Sequence, residues 1–152
     1  MTSAPRPGDR EVERELEEAV VRETAVHGTR WAGQFGGYFS DPAVAAPFLE
    51  VIEEAIRAGP PDVLVDLGGG TGFILGELLR RGKLPPAAKL YDLELSDRQL
   101  GSLSDPRLRP LKSSFLEFRR SAVAAEGERL MLITRSTLHY AGLMGQKPVL
   151  RH

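Results

Sequence analysis

From Glu11 onward the apolar residues Val12, Leu16 and Val20 recur at every fourth position, while Glu11, Glu13, Glu15, Glu17 and Glu18 fall between them. That spacing predicts an amphipathic helix with a solvated acidic face. Residues 28–40, GTRWAGQFGGYFS, break the pattern, since glycines there are interleaved with Trp31, Phe35, Tyr38 and Phe39. Aromatics among glycines predict a packed loop or lid, with core packing the ordinary role of the rings. A second helix is predicted after Asp41, with Asp41 as N-cap and Pro42 at the first helical position. Leu49, Ile52 and Ile56 mark its inner face, and Gly59-Pro60-Pro61 stops it. Pro47 lies inside this span and predicts a later start or a bend, because proline lacks the helical N–H.

Beyond Pro61 the pattern alternates between strand and helix. Val63-Leu64-Val65 is a short apolar run that ends at Asp66 and a glycine cluster. Residues 73–81 read as a helix, Ala88 to Glu94 as a second strand, and Ser96 to Leu103 as a short helix capped by Ser96. Arg107 to Lys112 reads as a third strand, Phe115 to Ala125 as a helix, and Arg129 to Thr134 as a fourth strand. Such βαβαβαβ alternation predicts an α/β fold with a parallel sheet covered by helices. The chain then divides into a polar, disordered N-terminus over 1–9, an N-terminal helical cap over 10–60, and a sheet domain over 61–152. A fourth strand with no later partner would leave an open edge, which a second copy of the chain could cover.

Composition narrows the class. The chain has 152 residues with a formal net charge of -1, 41% apolar and 27% charged residues, as in ordinary globular domains. This balance offers no electrostatic footprint for nucleic acid. No apolar run approaches the length of a membrane span, and the first residues lack the apolar stretch of a secretory signal. A cytoplasmic location is therefore expected. The absence of cysteine excludes disulfides, thiolate metal sites and cysteine nucleophiles. The histidines, His27, His139 and His152, show no ligand spacing, so no metal is expected.

The informative segment is VLVDLGGGTG, residues 63–72, in which a strand ends in Asp66 and Gly68, Gly70 and Gly72 form a G-x-G-x-G turn before a helix. Glycines allow a tight turn with positive φ and close approach of a ligand to the backbone. The following helix N-terminus offers free N–H groups to a nucleotide-type ligand. A P-loop would need a lysine after the glycines, and none follows. The dinucleotide fingerprint would need a small residue where Phe73 stands, which weakens a nicotinamide oxidoreductase reading without removing it.

In DLGGGTG, and again in YDLELSDRQL, the chain resembles the class I S-adenosylmethionine-dependent methyltransferases. The resemblance implies an α/β Rossmann-like parallel sheet of order 3-2-1-4, S-adenosyl-L-methionine as cofactor, and a small-molecule methyl acceptor. It implies that Asp66, Gly68, Gly70 and Gly72 form the cofactor turn. Glu94 would hold the ribose hydroxyls, with Asp92 on the same strand face as the fallback, and Leu95 would cover the adenine. LKSSFLEF puts Ser114 where the family often has an acid or polar contact to the adenine, a departure that a hydroxyl could accommodate. ITRSTLHY puts Thr134 and Arg135 near the methionine part of the cofactor and His139 near the acceptor, as a candidate base. Trp31 and Tyr38 are candidate lid residues. The resemblance runs from about Asp41 to His152 and covers the first four strands of the family's longer sheet, so acceptor contacts are expected to be largely missing. A module that binds the cofactor without turnover remains the alternative.

Overall fold

The structure, a computed structural model, describes residues 38–115 and 117–135, together with Glu11, Arg14, Glu15, Glu18, Val21 and Arg22. Those six are helical, and Arg14 pairs with Glu18 one turn away at 3.1 Å. The apolar stripe of that helix, Trp31 and all three histidines lie outside the described residues.

Helix α1 spans Pro42–Ala58. Asp41 caps it as the sequence predicts, its carboxylate accepting the Ala43 N–H at 2.8 Å. The helix continues through Pro47, so the predicted late start is not observed. Its inner face of Ala45, Leu49, Ile52 and Ile56 is buried, which compensates for the hydrogen bond that Pro47 cannot make.

Strands β1 (Val63–Leu67), β2 (Lys89–Glu94), β3 (Leu108–Lys112) and β4 (Leu130–Thr134) form one parallel sheet of order β3-β2-β1-β4. The predicted order and strand positions are those observed. All five residues of β1 are buried, as a central parallel strand requires. Pro110 sits in β3, an edge strand, where a missing N–H can face away from the ladder. Among the described residues β4 is paired on one side only.

Helices α2 (Phe73–Arg80) and α1 cover one sheet face. Leu49, Leu64, Leu75, Leu78 and Leu90 are fully buried there, and each contributes about 1.5–3 kcal/mol through burial. Val63, Val65, Leu67 and Leu93 point to the other face, against Val123 and Ala124.

Two predicted helices differ from expectation. Helix α3 is a single turn, Asp97–Leu100, rather than a run to Leu103, because Gly101 follows at its C-cap. The predicted helix from Phe115 to Ala125 is replaced by one 3-10 turn at Arg120–Ala122. A helix starting at Phe115 would turn Arg119 and Ala122 inward, yet those residues are exposed and the buried ones are Val123 and Ala124. The Arg120 guanidinium also binds the carbonyls of Ala125 and Glu128, holding this segment as a loop.

Candidate functional site

In a parallel sheet every strand delivers its C-terminal end to the same edge. Here that edge carries the turn after β1, Glu94, the Ser113-Ser114 pair and Arg135. The chain order reverses direction between β1 and β4, the position at which open α/β sheets form their ligand crevice.

The turn has the geometry its glycines suggest. Gly68, Gly70 and Gly72 have φ of 72°, 65° and 74°, a region that side-chain-bearing residues rarely adopt. The N–H groups of Gly68 and Gly69 donate to the Leu93 carbonyl at 2.7 and 3.3 Å, which fixes the turn to the end of β2. Among the described residues no side chain caps α2, which leaves its first-turn N–H groups to a ligand or to water. A methyl group built on Gly70 would lie 2.8 Å from Gln99 Oε1, so α3 closes the far side of the turn.

Glu94 ends β2 and is half-buried. Its Oε1 accepts the N–H groups of Leu95 and Ser96 at 2.8 and 3.0 Å, so the carboxylate is held in one orientation at the crevice rim. Ser96 in turn caps α3. Leu95 follows in the loop and is half-buried. Ser114 is buried, and its carbonyl accepts from the Ser113 hydroxyl and the Glu117 N–H, so it also shapes the turn after β3.

Arg135, just past β4, does more than the sequence indicates. Its guanidinium donates to the Tyr38 carbonyl and lies 3.7 Å from the Tyr38 ring centroid and 5.7 Å from that of Phe48. Tyr38 therefore lies beside the sheet's C-terminal edge. Thr134 Oγ1 is buried and has no hydrogen-bond partner among the described residues. His139 and Trp31 lie outside the described residues.

Below the turn is an arrangement that sequence reasoning only partly identified. Asp66 and Asp92 are register partners on β1 and β2, and both are buried. A methyl group built on Gly69 would lie 2.8 Å from Asp92 Oδ1 and 2.9 Å from the Cγ atoms of both aspartates. Gly69 is thus needed for space rather than for an unusual φ. The adjacency of Asp66 and Asp92 across the ladder was the signal that could have pointed to it. Burial, and then the Glu94 charge, push the Asp66 carboxyl up to about 7, with Arg135 opposing. Burial, then Asp66 and Glu94, push Asp92 up to about 8. No cluster of three metal-ligating side chains occurs among the described residues, and no described helix is long and apolar enough to cross a membrane.

No protein-family model matches the chain, and no curated protein matches it. Among solved structures it is similar to the Burkholderia thailandensis 1,6-didemethyltoxoflavin-N1-methyltransferase with bound 1,6-didemethyltoxoflavin and S-adenosylhomocysteine. That match has 17% identity and a TM-score of 0.46, over 78% of this chain and 48% of the other. It is also similar to the plantazolicin methyltransferase BpumL in complex with SAH, with 13% identity and a TM-score of 0.46, over 90% of this chain and 56% of the other. The chain spans about half the length of these proteins. The architecture is a Rossmann-like α/β sheet, with a glycine turn and a ring of carboxyl groups gathered at its switch point.

Proposed function

We propose that the chain binds S-adenosylmethionine at the C-terminal edge of β1 and β2 and transfers its methyl group to a small-molecule acceptor. The observation that carries this reading is the turn over residues 68–72, with three positive-φ glycines set beside the oriented Glu94 carboxylate at the switch point. The residues present suit such a ligand. Gly68 and Gly70 leave the turn backbone open to close approach, and the uncapped start of α2 supplies N–H donors. Glu94 accepts from a vicinal diol, a role for which a carboxylate has two oxygens. Leu95 offers apolar cover to the adenine, Ser114 a polar contact to it, and Thr134 and Arg135 flank the methionine end.

The cofactor brings a methyl group already activated on a sulfonium. The protein's part is to align donor and acceptor for in-line displacement and to exclude water. His139 is proposed as the group that takes a proton from the acceptor, since its pKa lies near neutrality. The likeness of ITRSTLHY to the small-molecule branch of the family supports the acceptor class.

Calorimetric titration with S-adenosylhomocysteine, using NAD as the control, tests the reading. Saturable binding of the first alone is expected. The Gly70→Val variant, with its fold checked by circular dichroism, is expected to weaken binding at least tenfold. Equal affinity in that variant, or binding of NAD instead, would remove the site assignment. Binding with no methyl transfer to any small acceptor would favour a ligand-binding module.

A further inference from the structure

We infer that Asp66 and Asp92 hold one proton between them beneath the glycine turn, and that a cationic ligand arriving at the C-terminal end of β1 expels it to solvent. This rests on the cofactor reading above, since that cofactor carries an ammonium and a sulfonium. It goes further in giving Asp92 a role in ligand binding that the glycine motif does not imply.

The two carboxyl groups project from register-paired positions on adjacent strands and converge on the same point against the Gly69 Cα. Asp92 is fully buried, and neither of its oxygens has a hydrogen-bond partner among the described residues. Asp92 Oδ2 also lies 3.2 Å from where a methyl group on Gly72 would be, so the turn closes over it. A buried carboxylate without donors is a costly arrangement, and two buried carboxyl groups this close disfavour ionisation of both. A single shared proton resolves both costs, because one carboxyl then donates to the other, as in paired carboxyl groups elsewhere.

Among the described residues the charged groups acting on the pair are Glu94 on β2, which favours retention of the proton, and Arg135 after β4, which opposes it at Asp66. Gln99 on α3, beside Gly70, is neutral. Three carboxyl groups thus face one guanidinium, an imbalance that attracts a cation. A positive ligand group near Asp66 stabilises the doubly ionised pair, so the proton leaves to the buffer as the ligand binds. No bond to carbon forms or breaks in this step. By linkage, affinity rises with pH for as long as the free pair retains its proton, by at most about tenfold per pH unit for one proton.

The test has two arms on the full chain. Infrared difference spectroscopy of the free protein near neutral pH, comparing wild type with Asp92→Asn, should show the C=O stretch of a protonated carboxyl that the variant lacks. Titration with S-adenosylmethionine in buffers of different ionisation enthalpy should show proton release on binding, reduced or abolished in Asp92→Asn. Absence of a protonated carboxyl in the wild type overturns the inference whatever the ligand does. Binding without proton release overturns the coupling while leaving the cofactor reading in place. No binding at any pH, with the carboxyl band present, removes the cofactor reading and the coupling with it. Should Asp92→Asn fail to fold, the wild-type proton count across buffers decides alone.

Discussion

A single hydrogen atom in place of a side chain allows Gly69 to lie against two buried carboxyl groups. Both have their proton affinity raised in the folded protein, chiefly by burial. The folded chain therefore keeps a proton that the unfolded chain gives up above the ordinary carboxylate range. Stability from this pair is fully present below the unfolded pKa, near 4, and is lost as pH rises toward about 7 for Asp66 and about 8 for Asp92. For one proton the slope is about 1.4 kcal/mol per pH unit within that window. Glu77 and Glu128 are shifted the other way by their partners Arg80 and Lys89, so their effect is lost only in acid, below the ordinary range. Urea denaturation of the wild type at several pH values between about 5 and 8 should show declining stability, and Asp92→Asn should flatten the decline. A wild-type profile that is flat would mean that the pair is ionised in the folded state. The sequence placed Asp92 on the face of Glu94, and strand parity is enough for that. It did not reveal the burial of Asp92, which depends on the turn folding back over β2 and on the space left by Gly69.

The elements themselves were legible where one physical signal dominated. The apolar run of β1 between Pro61 and the glycine cluster, and the Asp41-Pro42 start of α1, are strong local statements, and both stand in the structure. The connection from β3 to β4 was not legible. Phe115 and Phe118 suggest a helical spacing, but the arginines after them sit where a helix would need apolar residues. Pro47 is the converse case, a local signal overridden by packing. Its ring is exposed while Ala45, Leu49, Ile52 and Ile56 hold the helix to the sheet. Pro47→Ala should therefore gain a helical hydrogen bond to the Ala43 carbonyl and lose no buried surface. Proline costs about 3 kcal/mol in a helix interior, offset by about 0.4–1 kcal/mol of restored freedom in the unfolded chain. Thermal denaturation should show the variant more stable by roughly 2–2.6 kcal/mol. A less stable variant would mean that Pro47 sets the path of the first turn and a half of α1.

At the scale of the whole molecule the sheet order follows from the alternation of elements, whereas the placing of Tyr38 beside the sheet's C-terminal edge does not, because it depends on a contact between residues 97 positions apart. Arg135 at the end of β4 holds Tyr38 by a carbonyl hydrogen bond and by stacking, and reaches Phe48 in α1 as well. The family resemblance put Arg135 near the methionine part of a cofactor and the sequence offered Tyr38 as a candidate lid residue, but nothing in their spacing joined the two. Removing the guanidinium in Arg135→Ala should cost about 1–3 kcal/mol, as the loss of a charged hydrogen bond and a cation–π contact together. The same change removes the one positive charge that opposes proton retention at Asp66, so the pH at which the carboxyl pair ionises should rise. Arg135→Lys separates the two effects, because an ammonium keeps the charge but lacks the planar fork that stacks on Tyr38. Denaturation should then show a stability loss in both variants, with the ionisation of the pair displaced upward in the alanine variant and close to wild type in the lysine one. If both variants match the wild type in stability, the Arg135–Tyr38 contact does not hold Tyr38 at the sheet edge, and its position must be set by the packing of Phe39 and α1 instead.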